Sequence, residues 1–439
     1  MRILVLLLLN FSISFTLVAQ TVQVDVDEEA IARGVERGLL QLDQLLAKVD
    51  EKLDINIKLK RSDQINFDGP QKNKSFIKSF AAGADDKIVL ANQYGSLKIH
   101  TWDKKEVKTE VSISAFAGSE EEAQKLLDEV NIDAGKQGDQ IVFKTRMSQP
   151  GGNWGSGSRN GKRWRREIRV DYVVYMPASN DLSLSQNYGN VTMDDLTGTL
   201  YAKVQYGNFS AVNLRNSNNY ISVQYGKTEL QQVNKAVIKH QYGSGLSIGT
   251  VGSIDLDAQY AKVTINTVKD KALIKQQYGS GLSIGSTSDL DLDIQYANAN
   301  VNTISGTAKI RQQYSSLTLG TVGQLALNAQ YTSATIGSLK GNATIDMEYN
   351  KLTIGSVGAQ CKSLNIDGDY LNINVGFSSG YSADVEVNTS YAAFRYGEEV
   401  TARLLGEKNS SNKIYRGKIG NGGPGLVKVK SDYGAVLFH

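Results

Sequence analysis

The stretch Ile254-Asp-Leu-Asp-Ala-Gln-Tyr-Ala-Lys-Val-Thr-Ile-Asn-Thr-Val268 sets the architecture of this chain. Ile254, Leu256, Ala258 and Tyr260 share one parity, and Val263 and Ile265 take the other. Side chains alternate between the two faces of a strand, so an apolar set that changes parity requires a turn between its halves. The turn falls at Tyr260-Ala-Lys262, with a short strand on either side. An apolar residue then returns eight positions after the tyrosine, at Val268, and again at Ile304, Val322, Leu339 and Val357 after Tyr296, Tyr314, Tyr331 and Tyr349.

The pattern repeats along the chain. Tyrosines stand at 188, 206, 225, 242, 260, 278, 296, 314, 331 and 349, at intervals of 17 to 19 residues, with further copies at Tyr370, Tyr391 and Tyr433. Glutamine precedes most of them, as in Gln205-Tyr-Gly, Gln259-Tyr-Ala and Gln313-Tyr-Ser. A fixed period of this size marks a stacked repeat architecture. Each period supplies three inward clusters and two or three bends. The expected fold is therefore all-β, a parallel β-helix or solenoid of ~18-residue coils, with like residues stacked about 4.8 Å apart. The competing geometry is a meander or an outer-membrane barrel, which needs strands of roughly ten residues and two aromatic girdles. Here the strands are shorter and the aromatics mark one corner.

Because Tyr260 shares parity with Ile254 and Leu256, the tyrosines Tyr206, Tyr225, Tyr242, Tyr260, Tyr278, Tyr296, Tyr314, Tyr331 and Tyr349 are expected to form a structural ladder. Their rings would pack the corner while glutamine amides bridge the coils. The other reading is that exposed tyrosines stack on glycans.

Outside the repeats, the plan is residues 1–20 as a secretion signal, 21–80 as a helix and linker, 81–180 as a β-rich lead-in and 181–439 as the solenoid. Residues 1–20 place one arginine before an apolar run that ends at Ala19-Gln20, the anatomy of a cleaved signal. No later segment reaches the roughly 18 consecutive apolar residues of a membrane-spanning helix. Val35, Leu39, Leu42, Leu46, Val49 and Leu53 line one face of a helix over 28–53, suited to covering an exposed sheet end. Residues 54–84 are polar and poor in pattern and read as a linker or irregular lead-in. Ser119 followed by Glu122 predicts a capped helix over 120–129.

A glycine-rich tongue at 150–166 gathers Trp154, Arg159, Lys162, Arg163, Trp164, Arg165 and Arg166. Arginine can pair bidentately with phosphate or carboxylate and tryptophan can stack on a sugar, so the tongue is the candidate ligand-binding segment. The competing reading is a mobile hairpin extension.

The run Asn92-Gln-Tyr-Gly-Ser-Leu-Lys-Ile-His-Thr-Trp-Asp103, then Glu106-Val-Lys-Thr-Glu-Val111, Ser119-Glu-Glu-Glu-Ala-Gln-Lys-Leu-Leu127, Val170-Asp-Tyr-Val-Val-Tyr-Met-Pro177 and Asn187-Tyr-Gly-Asn-Val-Thr-Met193 resembles the putative-adhesin family of bacterial cell-envelope proteins. The resemblance spans roughly residues 80 to 375 and leaves the helix at 28–53 outside. It implies a parallel β-helix, export to the periplasm, outer-membrane surface or exterior, and adhesion. It brings no catalytic residues.

The 439 residues carry 48 Lys and Arg against 45 Asp and Glu, a net of +3, so no nucleic-acid partner is expected. A single cysteine, Cys361, excludes an intramolecular disulfide. His100, His240 and His439 are too dispersed for a zinc or histidine-based site, and no phosphate loop or nucleophile elbow is present. Asp255, Asp257, Asp289, Asp291 and Asp293 alternate with apolar residues and read as solvated acids on an outer face, with a stacked calcium or sugar site as the alternative. The expected protein is non-catalytic, without metal or cofactor, and presents a β-surface to an envelope glycan or protein. The alternatives are a periplasmic scaffold or signalling module with a protein partner and, third, a polysaccharide-active enzyme.

Overall fold

The computed structural model describes residues 69–148, 155–159 and 162–439. The expected secretion signal and the helix at 28–53 lie outside the described residues. The described chain is a β-solenoid of ~18-residue coils with very little helix.

Its first coil begins inside the segment read as a lead-in. After β1 (Gln71–Ala81), strands β2 (Lys87–Gln93) and β3 (Leu97–Trp102) form a coil. The chain then leaves the stack through β4 (Glu106–Phe116), α1 (Glu120–Asp128), β5 (Val130–Gln137), β6 (Gln140–Met147), β7 (Gly155–Arg159) and β8 (Lys162–Pro177). It returns as β9 (Asp181–Asn187) and β10 (Val191–Met193), which pair in parallel register with β2 and β3.

The excursion closes the open end of the stack. β6 and β8 pair in parallel with β2 and β3, but their outer neighbours β5 and β4 are antiparallel, and β1 adds antiparallel to β4. Ala123, Leu126 and Leu127 bury one face of α1, whose N-cap Ser119 hydroxyl accepts from the Glu122 amide. The linker reading of 54–84 thus fails for Gln71–Ala81. This edge strand partly buries only Lys72, Phe76 and Phe80 and exposes Lys74 and Lys78, so it lacks period-two alternation. Lysines on an edge discourage further strand addition.

From β9 onward each coil stacks on the last in parallel, and the alternation predicted for the central stretch holds. Leu256, Ile274, Leu292 and Ile310 form one buried column, and Ile248, Ile265, Ile284 and Val301 another. Each such side chain contributes about 1.5–3 kcal/mol on leaving water.

The acids read as solvated do point outward, and register places Asp257, Asp289, Asp291 and Asp293 beside cations while Asp255 lies between Val237 and Leu273. Lys239, Asp257, Lys275, Asp293 and Arg311 succeed one another in one outward column. Opposite charges in adjacent strands favour this alignment over a one-coil slip. Lys275→Glu would put three carboxylates in succession and is expected to cost about 0.5–1 kcal/mol at low salt. The loss should shrink in 1 M salt as screening shortens the range of the repulsion; urea melts of the variant at the two ionic strengths check this.

At the far end the order in space departs from the order in sequence. The last strands, Leu426–Asp432 and Ala435–Phe438, insert between the coil of Ser363–Phe377 and the strands Ala383–Ser390 and Ala393–Tyr396, pairing in parallel with both sides. Asn412–Ile419 then pairs antiparallel to Ala383–Ser390, with Val400–Leu405 antiparallel beyond it. An antiparallel layer therefore closes each end of the parallel stack.

Candidate binding surface

The tyrosines do not pack the corner from inside. In fourteen coils the tyrosine adopts a left-handed backbone, φ between 49° and 62°. That single residue breaks the strand's alternation and turns the ring outward, while the next residue turns in. Tyr260 is 44% exposed and Ala261 buried. The parity expectation fails because alternation holds only while the backbone stays extended.

The parallel ladder nevertheless runs through the corner. Tyr206 N–H donates to the Gln224 carbonyl and Tyr260 N–H to that of Gln277, at 2.9 and 3.0 Å. Glycine follows many of the tyrosines because the backbones approach closely there: a Cβ on Gly207 would lie 1.9 Å from the Gly189 carbonyl oxygen.

Outside, the rings form one continuous stack. It runs from Tyr94 through Tyr188 and the whole expected ladder to Tyr349, then Tyr370, Tyr433 and finally Tyr391. Neighbouring centroids lie 4.6–5.4 Å apart and the rings are within 3–15° of parallel. Thirteen steps at the coil spacing make a strip of about 60 Å. Most ring faces are covered by neighbours, so the strip presents ring edges and phenol groups.

Glutamines border it. Gln205 Nε2 donates to Gln224 Oε1 and Gln224 Nε2 to Gln241 Oε1, at 2.8 and 3.0 Å, as the amide-bridge reading expects. Further along, the column turns acidic at Glu348, Asp369 and Asp432. Burial pushes the Asp369 carboxyl up, Lys430 opposes this, and the like charge of Asp432 adds to it.

A second polar column braces the corner from within. Gln186 Nε2 donates to the Gly95 carbonyl at 2.6 Å, Gln276 Nε2 to that of Ala261 at 3.1 Å, and Gln312 Nε2 to that of Ser316 at 2.9 Å. His240 occupies the same column, between Val223 and Ala258. It is fully buried, with Nδ1 3.1 Å from Thr228 Oγ1. Burial holds its imidazole down at about 4.

The basic tongue is a separate hairpin, β7 against β8. Trp154 lies outside the described residues, and Arg159, Lys162 and Arg163 sit at the hairpin's tip. Trp164 is partly exposed and lies against Gly157. Arg165 covers the Phe116 ring at 3.6 Å and pairs with Glu167 at 2.9 Å, while Arg166 lies 3.7 Å from Glu122. Arg165 and Arg166 are thus engaged in holding the hairpin to the strands and helix beneath it. His100 pairs with Asp194 at 3.1 Å. Among the described residues no three His, Cys, Asp or Glu side chains are grouped to hold a metal ion.

These features define a class: a parallel β-solenoid with a continuous outward tyrosine stack. No family model matches the chain, and no curated protein matches it. Among solved structures it is similar to a putative cell adhesion protein from Clostridium sporogenes, with 9% identity over 84% of this chain and 99% of that one and a TM-score of 0.17. It is also similar to a putative adhesin from Parabacteroides merdae, with 16% identity over 70% of this chain and 92% of that one and a TM-score of 0.19.

Proposed function

We propose that this is a non-catalytic, exported cell-envelope protein that adheres to a macromolecule through its tyrosine-lined corner. The outward stack of fourteen tyrosines carries the reading. A continuous strip of large, half-exposed aromatic residues is the kind of surface that binding partners cover. Each ring also holds a backbone conformation that L-residues avoid, at about 1–2 kcal/mol apiece. A repeat that needed only a tight corner could use glycine or asparagine there.

The strip suits binding by many equivalent weak contacts, each phenol or amide adding a little to a long attachment. It does not suit turnover. His240 is enclosed in the interior, His100 is engaged with Asp194, and Asp432 beside the strip pairs with Lys430 at 3.5 Å.

The test has two parts on the same producing cells. Protease is expected to cleave the protein on intact cells, before the outer membrane is opened. Protection until opening would overturn surface adhesion in favour of the periplasmic scaffold. Replacing Tyr260, Tyr278 and Tyr296 together by Asn, which tolerates the left-handed backbone, is expected to lower retention of purified full-length protein on those cells about tenfold. Unchanged retention would overturn the strip as the adhesive surface.

A further inference from the structure

We propose that the strand face entered just after the tyrosine corner binds a neutral, extended β-linked polysaccharide lying along the solenoid axis. This rests on the adhesive reading above and names its ligand class. From Ser247-Ile-Gly-Thr250 and Thr264-Ile-Asn-Thr267 to Thr353-Ile-Gly-Ser356, seven successive coils carry the same four positions: Ser, Thr or Asn; an aliphatic residue; Gly or Asn; Ser or Thr. The aliphatic residue points inward, as with Ile248, Ile265 and Ile284, and the other three positions face out.

Register turns the motif into lanes. Ser247, Thr264, Ser283 and Asn300 succeed one another in one column, and Thr250, Thr267, Ser286 and Thr303 in a second. Thr335 aligns with Thr353 and Ser338 with Ser356 further along. Between the two columns glycine alternates with the exposed Asn266 and Asn302 and then continues as Gly320, Gly337 and Gly355; a Cβ on Gly285 would lie 2.3 Å from the Asn266 carbonyl oxygen, and one on Gly320 2.3 Å from that of Asn302.

Charge selects the class of ligand. Between the tyrosine and the second column, the outward positions over the seven coils include only two charged residues, Lys262 and Lys351, both at the tyrosine border; Lys269 and Lys340 stand at the far edge. The other strand face of the same coils alternates Lys, Asp and Arg. A polyanion would find few cations on the hydroxyl face to replace its counterions, whereas a neutral chain rich in hydroxyl groups can exchange hydrogen bonds with water for hydrogen bonds with Ser, Thr and Asn. Coils repeat about every 4.8 Å, and an extended β-1,4-linked glycan advances by nearly the same step per sugar. Successive sugars of such a chain alternate in orientation, so the same sugar face meets the same set of groups on every second coil. The tyrosine phenols run alongside as a rail.

The experiment is retention of the full chain on microcrystalline cellulose and on chitin, with alginate as the charged glycan and collagen as the protein. Thr318→Arg combined with Thr335→Arg would place two cations on the hydroxyl face. Asn328→Arg places one on the other strand face as a control, and thermal melts confirm that each variant folds. Retention on cellulose or chitin is expected, falling about tenfold in the double variant and holding in the control. The proposal is overturned by retention on alginate or collagen alone, by no retention on either neutral glycan, or by a double variant that binds like the parent. Cell attachment that still depends on the tyrosines, without binding to cellulose or chitin, would overturn this ligand class and leave the adhesive reading standing.

Discussion

His240→Gln is expected to make the solenoid markedly more resistant to acid while leaving it folded at neutral pH. The imidazole titrates at about 4 in the folded chain against an ordinary 6.5, because burial disfavours the cation. Between those values the unfolded chain takes up a proton that the folded chain refuses. The contribution of neutral His240 is therefore complete above pH 6.5 and is lost as pH falls from 6.5 through 4. The total is about 3 kcal/mol. Glutamine already serves at the equivalent position in Gln276 and Gln312, each donating an amide proton to a corner carbonyl. The substitution therefore keeps the column polar and removes the titration. Denaturant melts from pH 7 to pH 4 should show the parent losing about 3 kcal/mol more than the variant. Parallel losses would mean that the imidazole charges in place.

Tyr260→Ala is expected to destabilise the chain by about 2 kcal/mol, and Tyr260→Gly by about 1 kcal/mol less than that. Tyr260 stacks on Tyr242 at 5.0 Å and on Tyr278 at 5.2 Å, so either substitution removes two ring contacts. Alanine keeps the cost of φ near 52°, and glycine removes it. The usual order, in which glycine is the poorer residue within regular structure, is thus inverted here. Tyr391 stacks on Tyr433 at the end of the row, so Tyr391→Ala should cost roughly half as much. Chemical melts of the three variants measure the order directly; an alanine variant more stable than the glycine variant would mean that stacking, not backbone strain, accounts for the whole effect.

The solenoid and the coil length were legible because interior packing is periodic. Ile254, Leu256 and Ala258 announce one strand, Val263 and Ile265 another, and the parity change between them announces the corner. The direction of the tyrosine was not legible from that arithmetic. Parity assumes an extended backbone, and a left-handed residue cancels it. A signal was present all the same: glycine, the residue of tight corners, follows the tyrosine in many coils, and a small residue such as Ala261 or Ala297 follows it in others.

Tyr94 was also hidden as a member of the row, because the excursion from Glu106 to Pro177 separates it from Tyr188 in sequence while the two rings stack at 5.3 Å. The hydroxyl face was written in seven tetrapeptides but stood out only when register placed them in columns against a charged face. The tongue was conspicuous for its composition, yet Arg165 and Arg166 find local partners in Glu167, Phe116 and Glu122.

Sequence alone carried the all-β class, the stacked repeat and the identity of the inward aliphatic residues, since burial of aliphatic side chains at period two is a local property that each coil repeats. Three-dimensional packing settled which way the tyrosines face, which strands close the two ends, and that Tyr433 lies between Tyr370 and Tyr391. Those features depend on contacts between distant segments and on one backbone angle per coil, and hydrophobic periodicity encodes neither.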